Sequence, residues 1–217
     1  MIVLFSHQKG GVGKSTSAIN LSYEIKKKFK DIAILDLDSQ HSSKLFNQLR
    51  VHNKLDCIDC FTQDEINFER LVLSYKANKD NLLIIDSGGY DSDINRAALI
   101  KADILITPVG ISQIEIFGLQ KFRKILQDAS SSLDRDIKTH ILLNNVDSRS
   151  KKAIGSLQEY VSSNNKNFIL LDTILHTRAG YKSSYGNGLT VKEYDKKSKA
   201  TLEIKALAKE IIKLIKN

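Results

Sequence analysis

Apolar residues in this chain gather into short uninterrupted runs that alternate with longer stretches of helical spacing. The runs fall at 2–5, 32–35, 82–85, 104–107, 141–143 and 168–171. Several are apolar at every position rather than at every second one, which suits parallel strands covered on both faces. Between them, apolar positions recur at helical spacing over 15–29, 65–75, 94–101, 114–127, 151–161 and 200–215. This alternation predicts a doubly wound α/β fold, a mostly parallel sheet with helices on both faces. Ligands of such sheets lie at the carboxyl ends of the strands. No repeat, low-complexity segment or Pro/Gly/Ser-rich linker divides the 217 residues, so one domain spanning 1–217 is expected.

The chemistry begins where the first run ends. Lys9-Gly10-Gly11-Val12-Gly13-Lys14-Ser15-Thr16 stands between that run and the first helical stretch. A strand, a glycine loop and a helix N-terminus in that order make a phosphate cradle, with loop N–H groups pointing inward and the helix dipole adding positive potential. Lys14 is placed to reach the β- and γ-phosphates, and the Ser15 hydroxyl to ligate Mg²⁺. Gln8 occupies the place of the first glycine of an ordinary Walker A loop, and a second lysine, Lys9, precedes the paired glycines.

Three further strand ends carry polar groups. Asp36-Leu37-Asp38-Ser39-Gln40 follows the second run, and carboxylates at i and i+2 project to one side. Leu82-Leu83-Ile84-Ile85-Asp86 is a Walker B pattern whose carboxylate would hold a Mg²⁺-bound water. Ser87-Gly88-Gly89 follows it, and the glycines permit motion and close approach to a γ-phosphate. The last is Leu142-Leu143-Asn144-Asn145-Val146-Asp147-Ser148-Arg149, in which Asn144 and Asp147 resemble a guanine-reading Asn-Lys-x-Asp with Asn145 in place of the lysine.

On these residues the chain resembles the ParA/MinD family of deviant Walker A ATPases, closest to the short plasmid-type ParA partition proteins. The resemblance implies that this is a P-loop NTPase binding ATP and Mg²⁺, with Gly10, Gly11, Val12, Gly13, Lys14, Ser15 and Thr16 around the phosphates. It implies that Lys9 crosses to the nucleotide of a partner subunit and acts in catalysis with Lys14 and Asp38. The segment at Asp36 is similar to switch I, usually Asp-x-Asp-Pro-Gln, with Ser39 in place of proline. Asp38 would orient the attacking water, while Ser15, Asp36 and Asp86 would serve the metal. Asn144 and Arg149 would lie beside adenine, which favours ATP over GTP. Thr107-Pro108-Val109 with Gly118-Leu119, and Gly188-Leu189-Thr190-Val191, extend the likeness, which is densest before Asp91 and thin over 44–81. The implied activity is slow ATP hydrolysis by a homodimer that forms on ATP binding and holds DNA without sequence preference. A centromere-binding, ParB-like adaptor would stimulate turnover and release. Because the phosphate loop begins at once, no N-terminal winged-helix DNA-binding domain is expected.

Composition adds direction to this reading. Thirty-three Lys and Arg against 25 Asp and Glu give a formal charge of +8 and a pI near 9.3, which favours nucleic acid or an anionic membrane face. A merely solvated lysine-rich surface is the alternative. Candidate DNA-phosphate contacts are Arg178, Lys182, Lys192, Lys196, Lys197 and Lys199, in the loop region before the last helix. No run of about 18 apolar residues predicts a membrane span, and the N-terminus lacks the features of a signal peptide. With only two cysteines and no export signal, a reducing cytoplasm is expected, and the resemblance implies association with the nucleoid. The last helix sets Ile204, Leu207, Ala208, Ile211, Leu214 and Ile215 against Lys205, Lys209, Lys213 and Lys216. Without Trp or Phe anchors it reads as a helix closing the sheet rather than a MinD-like membrane-surface helix. Cys57-Ile58-Asp59-Cys60 reads as incidental rather than as half of an Fe–S or metal site. The five histidines show no ligand spacing.

Overall fold

The computed structural model describes residues 1–216. Strands and helices follow in the order β1 (Ile2–Phe5), α1 (Lys14–Ile25), β2 (Asp31–Leu37), α2 (Ser42–His52), β3 (Asp59–Thr62), α3 (Phe68–Lys76), β4 (Asn81–Ser87), α4 (Asp93–Lys101), β5 (Ile104–Val109) and α5 (Gln113–Leu133), then β6 (Thr139–Val146), α6 (Lys151–Ser163), β7 (Phe168–His176), α7 (Ala179–Gly186), α8 (Val191–Tyr194) and α9 (Lys199–Lys216). The strands form one seven-stranded sheet in the order β3-β2-β4-β1-β5-β6-β7. Every adjacent pair is parallel.

Alternate residues of each central strand feed opposite cores, which is why their runs are apolar throughout. Ile2 and Leu4 of β1 and Leu83 and Ile85 of β4 pack with apolar residues of α3, α4, α5 and α6. Val3, Phe5, Leu82 and Ile84 pack on the other face with α1 and α9. Ile204, Leu207 and Ile211 of α9 are buried there, so the last helix closes the sheet. Its polar side has a second task. Glu210 accepts the amides of Asp172 and Thr173, and Glu203 accepts that of His176, so α9 covers amides of the edge strand β7.

Pro108 lies inside β5, where a proline is unusual. Its nitrogen faces β1, because alternate residues of a strand address the same neighbour. The β1–β5 ladder has already ended at Phe5 and Ile106, so no hydrogen bond is lost.

The periodicity missed α2, β3, α7 and α8. Helix α2 is seated by Ser43, Phe46 and Arg50, while its apolar Leu45 and Val51 are exposed, so an apolar stripe is absent. Strand β3 has four residues, of which Cys60 alone is buried.

Candidate nucleotide site

β1 runs out at the carboxyl edge of the sheet into the glycine loop. Gly11 and Gly13 take left-handed φ values of 76° and 89°, which favour glycine. Gly13 is also the N-cap of α1, and a Cβ there would run into the amide nitrogen of Asn144. Lys14, the first residue of α1, is buried, and its Nζ donates to the Lys9 carbonyl at 3.1 Å. Burial pushes the Lys14 pKa down, against the opposing pull of Asp86 and Asp38.

The sheet register brings the carboxylates together. Asp36 of β2 and Asp86 of β4 are direct partners in the ladder, and both are fully buried. Burial first, and then the Asp36 charge, push Asp86 up to about 7, while the Ser43 and Ser15 hydroxyls and Lys14 oppose the shift. Asp86 Oδ2 accepts the Ser43 hydroxyl at 2.7 Å, and Oδ1 is buried without a partner among the described residues. An unsatisfied carboxylate oxygen beside a serine hydroxyl at a helix N-terminus fits Mg²⁺, which takes one or two carboxylates and completes its shell with water and phosphate oxygens. Asp36, the other carboxylate expected to serve the metal, is held by backbone amides. Its Oδ1 accepts the Asp38 amide at 3.1 Å and its Oδ2 the Lys44 amide at 3.0 Å, so it ties the segment after β2 and the start of α2 to the sheet. Burial raises its pKa, against those two amide bonds.

Asp38 lines the cleft and accepts the Gln40 amide at 3.0 Å. Gly89 approaches the loop itself rather than open space, since a Cβ there would stand 2.8 Å from the Gly10 nitrogen. Lys9, with 38% of its side chain exposed, is paired with Glu115 of α5 in its own chain. Glu115 Oε2 is buried without a partner among the described residues. Beneath the loop, His7 Nδ1 accepts the Lys9 amide at 2.9 Å, and the ring stacks on Phe122. Burial, then the charges of Lys14 and Lys9, push His7 down to about 4, so the ring is neutral at pH 7.

A cleft of about 600 Å³ opens between these groups. One wall is formed by loop glycines, Lys14, Ser15, Thr16, Asp38 and Gln40, the other by Tyr181, Lys182, Tyr185 and Gly186 of α7. Val12 is buried and presents its carbonyl to Asn144, whose Nδ2 donates to it at 2.6 Å. Asn144 thus braces the loop, and Arg149, 88% exposed, is paired with Asp147. Ser43, Glu115, Tyr181 and Tyr185 escaped the sequence reading. Only Glu115 carried a local signal, an acid in the first turn of a helix.

The six basic candidates divide. They fall at the N-cap of α7, on α7 and α8, in the turn after α8 and at the first residue of α9 rather than in one loop. Lys182 faces the cleft, Arg178 pairs with Glu203 and Lys192 with Glu24. Lys196, Lys197 and Lys199 are exposed. Cys60 packs with Ile34 and Ile58, and burial pushes its thiol up to about 12, suppressing the thiolate that a metal needs. Cys57 points at the Leu55 carbonyl. Among the described residues no helix is long and apolar enough to cross a membrane, and no group of three or more His, Cys, Asp or Glu is placed to hold a metal.

Residues 1–88 match the AAA domain family. The chromosome partitioning protein ParA of Myxococcus xanthus is 24% identical over 250 residues, covering 98% of this chain and 88% of that protein. Among solved structures, a Borrelia burgdorferi B31 protein described as a plasmid partition protein, bound to AMPPNP, superposes with a TM-score of 0.72 at 17% identity, over 98% of each chain. The cell division protein MinD of Aquifex aeolicus gives 0.73 at 16% identity, over 98% of this chain and 96% of that one. At these identities the superpositions establish the fold.

Proposed function

We propose, from the premise that this chain is a ParA/MinD-type P-loop protein by its fold and its N-terminal AAA domain, that it is an ATP-dependent DNA partition ATPase. The observation that carries this is a buried phosphate-loop lysine, Lys14, accompanied by a second, partly exposed lysine, Lys9, at the start of the same loop. A self-sufficient kinase site has no need of that second cation.

ATP lies with its phosphates on the amides of residues 10–16, and Lys14 leaves the Lys9 carbonyl for phosphate oxygens. Ser15 and Asp86 would hold Mg²⁺, which would supply charge neutralisation at the phosphates. Asp38 orients water for in-line attack. Two subunits close face to face, and Lys9 leaves Glu115 to place its ammonium on the other subunit's nucleotide. There it stabilises charge that develops during phosphoryl transfer. Pairing doubles the exposed lysines of 196–199 and creates a face for DNA phosphates. Hydrolysis, stimulated by a centromere-binding adaptor, dissolves the pair.

A membrane role for the last helix lacks support, because α9 spends its apolar side on the sheet. DNA retention tests the proposal. Immobilised duplex of arbitrary sequence should hold the protein with ATP and Mg²⁺ and not with ADP, and liposomes of anionic lipid should hold none. Retention that ignores nucleotide, or that follows the liposomes instead, contradicts it.

A further inference from the structure

Helix α2 joins the cleft to the basic segment that follows α7. Its first turn belongs to the cleft: Ser43 donates to Asp86 and the Lys44 amide to Asp36. Its last turn belongs to the segment 187–199. Arg50 is fully buried, and its guanidinium donates to the Gly188 carbonyl at 2.8 Å and to both oxygens of Glu193 at 2.7 and 2.8 Å. It also lies over the Tyr23 ring at 4.2 Å. Asn53 donates to the Asn187 carbonyl at 3.0 Å. Gly188 sits at φ 66°, and a Cβ there would stand 3.2 Å from the Arg50 nitrogen and from Leu49, so the turn rests directly on the helix backbone. Glu193 does two things at once, capping α8 in a capping box with Thr190 and pairing with Arg50.

We infer that α2 is a strut through which occupancy of the cleft is transmitted to 187–199, with Arg50 and Gly188 as its positioning residues. The Mg²⁺ that accompanies a bound nucleotide would compete with Ser43 for Asp86, one of the two carboxylates that anchor the first turn of α2. Movement of that turn is passed along the helix, because eleven residues of continuous hydrogen bonding move together. At the far end the buried guanidinium cannot slip from Glu193 without leaving a charge unpaired. The segment that moves with it carries Lys192, Lys196, Lys197 and Lys199. This inference rests on the reading of the cleft as a nucleotide site, and it gives the Gly188-Leu189-Thr190-Val191 motif a task that a structural plug would not have.

Amide hydrogen exchange with and without AMPPNP and Mg²⁺ tests it on the full chain. In the wild type, nucleotide should slow exchange over 9–16 and also over 187–199, the latter about tenfold, within the usual range of coupling between sites. Glu193→Gln retains the cap, because glutamine accepts the same bonds, but removes the ionic hold on Arg50. It should keep the slowing at 9–16 and reduce that at 187–199 to under about twofold. Gly188→Ala should do the same by wedging the turn off α2; should it fail to fold, Glu193→Gln decides alone. Slowing at 9–16 in the wild type with none at 187–199 overturns the inference, as does a wild-type response at 187–199 in folded Glu193→Gln. No slowing at 9–16 overturns the nucleotide reading, and the inference with it.

Discussion

Lys14, Asp86 and the loop glycines were legible because each announces itself within a few neighbouring residues: a lysine after glycines, an aspartate after an apolar run. Gly13 shows how much the fold adds. Its left-handed φ is foreseeable in a phosphate loop, but the collision that a Cβ would make with Asn144 joins positions far apart in sequence. Gly13→Ala should therefore weaken AMPPNP binding by more than about tenfold, by strain and by displacing Asn144 from Val12, as titration calorimetry would show. The Lys9–Glu115 pair was illegible for the same reason, since 106 positions separate its partners. His7 offers a test by pH. Its folded-state pKa lies near 4, below the ordinary 6.5, so the unfolded chain binds the extra proton between those values. The stabilising contribution is full above pH 6.5 and is lost as pH falls toward 4. The expected slope is roughly 1.4 kcal/mol per pH unit from this one group. Urea melts of wild type and His7→Asn across that window should differ in slope; parallel curves would show that the ring is not held neutral.

Among elements, the central strands and α9 were legible because burial on two sides, or along one stripe, writes itself into apolar spacing. Helix α2 was not, because a serine, a phenylalanine and an arginine seat it. Its guanidinium is satisfied by partners from Asp56 to Glu193 that no local pattern reveals. For α9 the buried side is a quantitative claim. Ile211→Ala, at a fully buried position, should cost about 2–5 kcal/mol in denaturant unfolding. Leu202→Ala, at 58% exposure on the same helix, should stay within about 0.5 kcal/mol. Equal costs would mean that α9 is not packed as described.

For the whole molecule, the charge of +8 overstates what the proposed DNA contact would have at its disposal. Arg178 and Lys192 are engaged in ion pairs and Lys182 faces the cleft, which leaves Lys196, Lys197 and Lys199 of the six candidates. A dimer presenting three such lysines per subunit should lose DNA affinity with a log–log salt slope of about −5. A slope near −10, read from binding isotherms in ATP between 50 and 200 mM salt, would mean that the ion pairs open on DNA. Everything beyond the single subunit depends on Lys9 leaving Glu115 for a neighbour's nucleotide. Sedimentation velocity with saturating ATP and Mg²⁺, in an Asp38→Ala background chosen to block the proposed turnover, reads that step. The chain should sediment as a dimer, and as a monomer once Lys9→Ala is added. A monomer at every concentration before that change, or a dimer that survives it, would contradict the role given to Lys9.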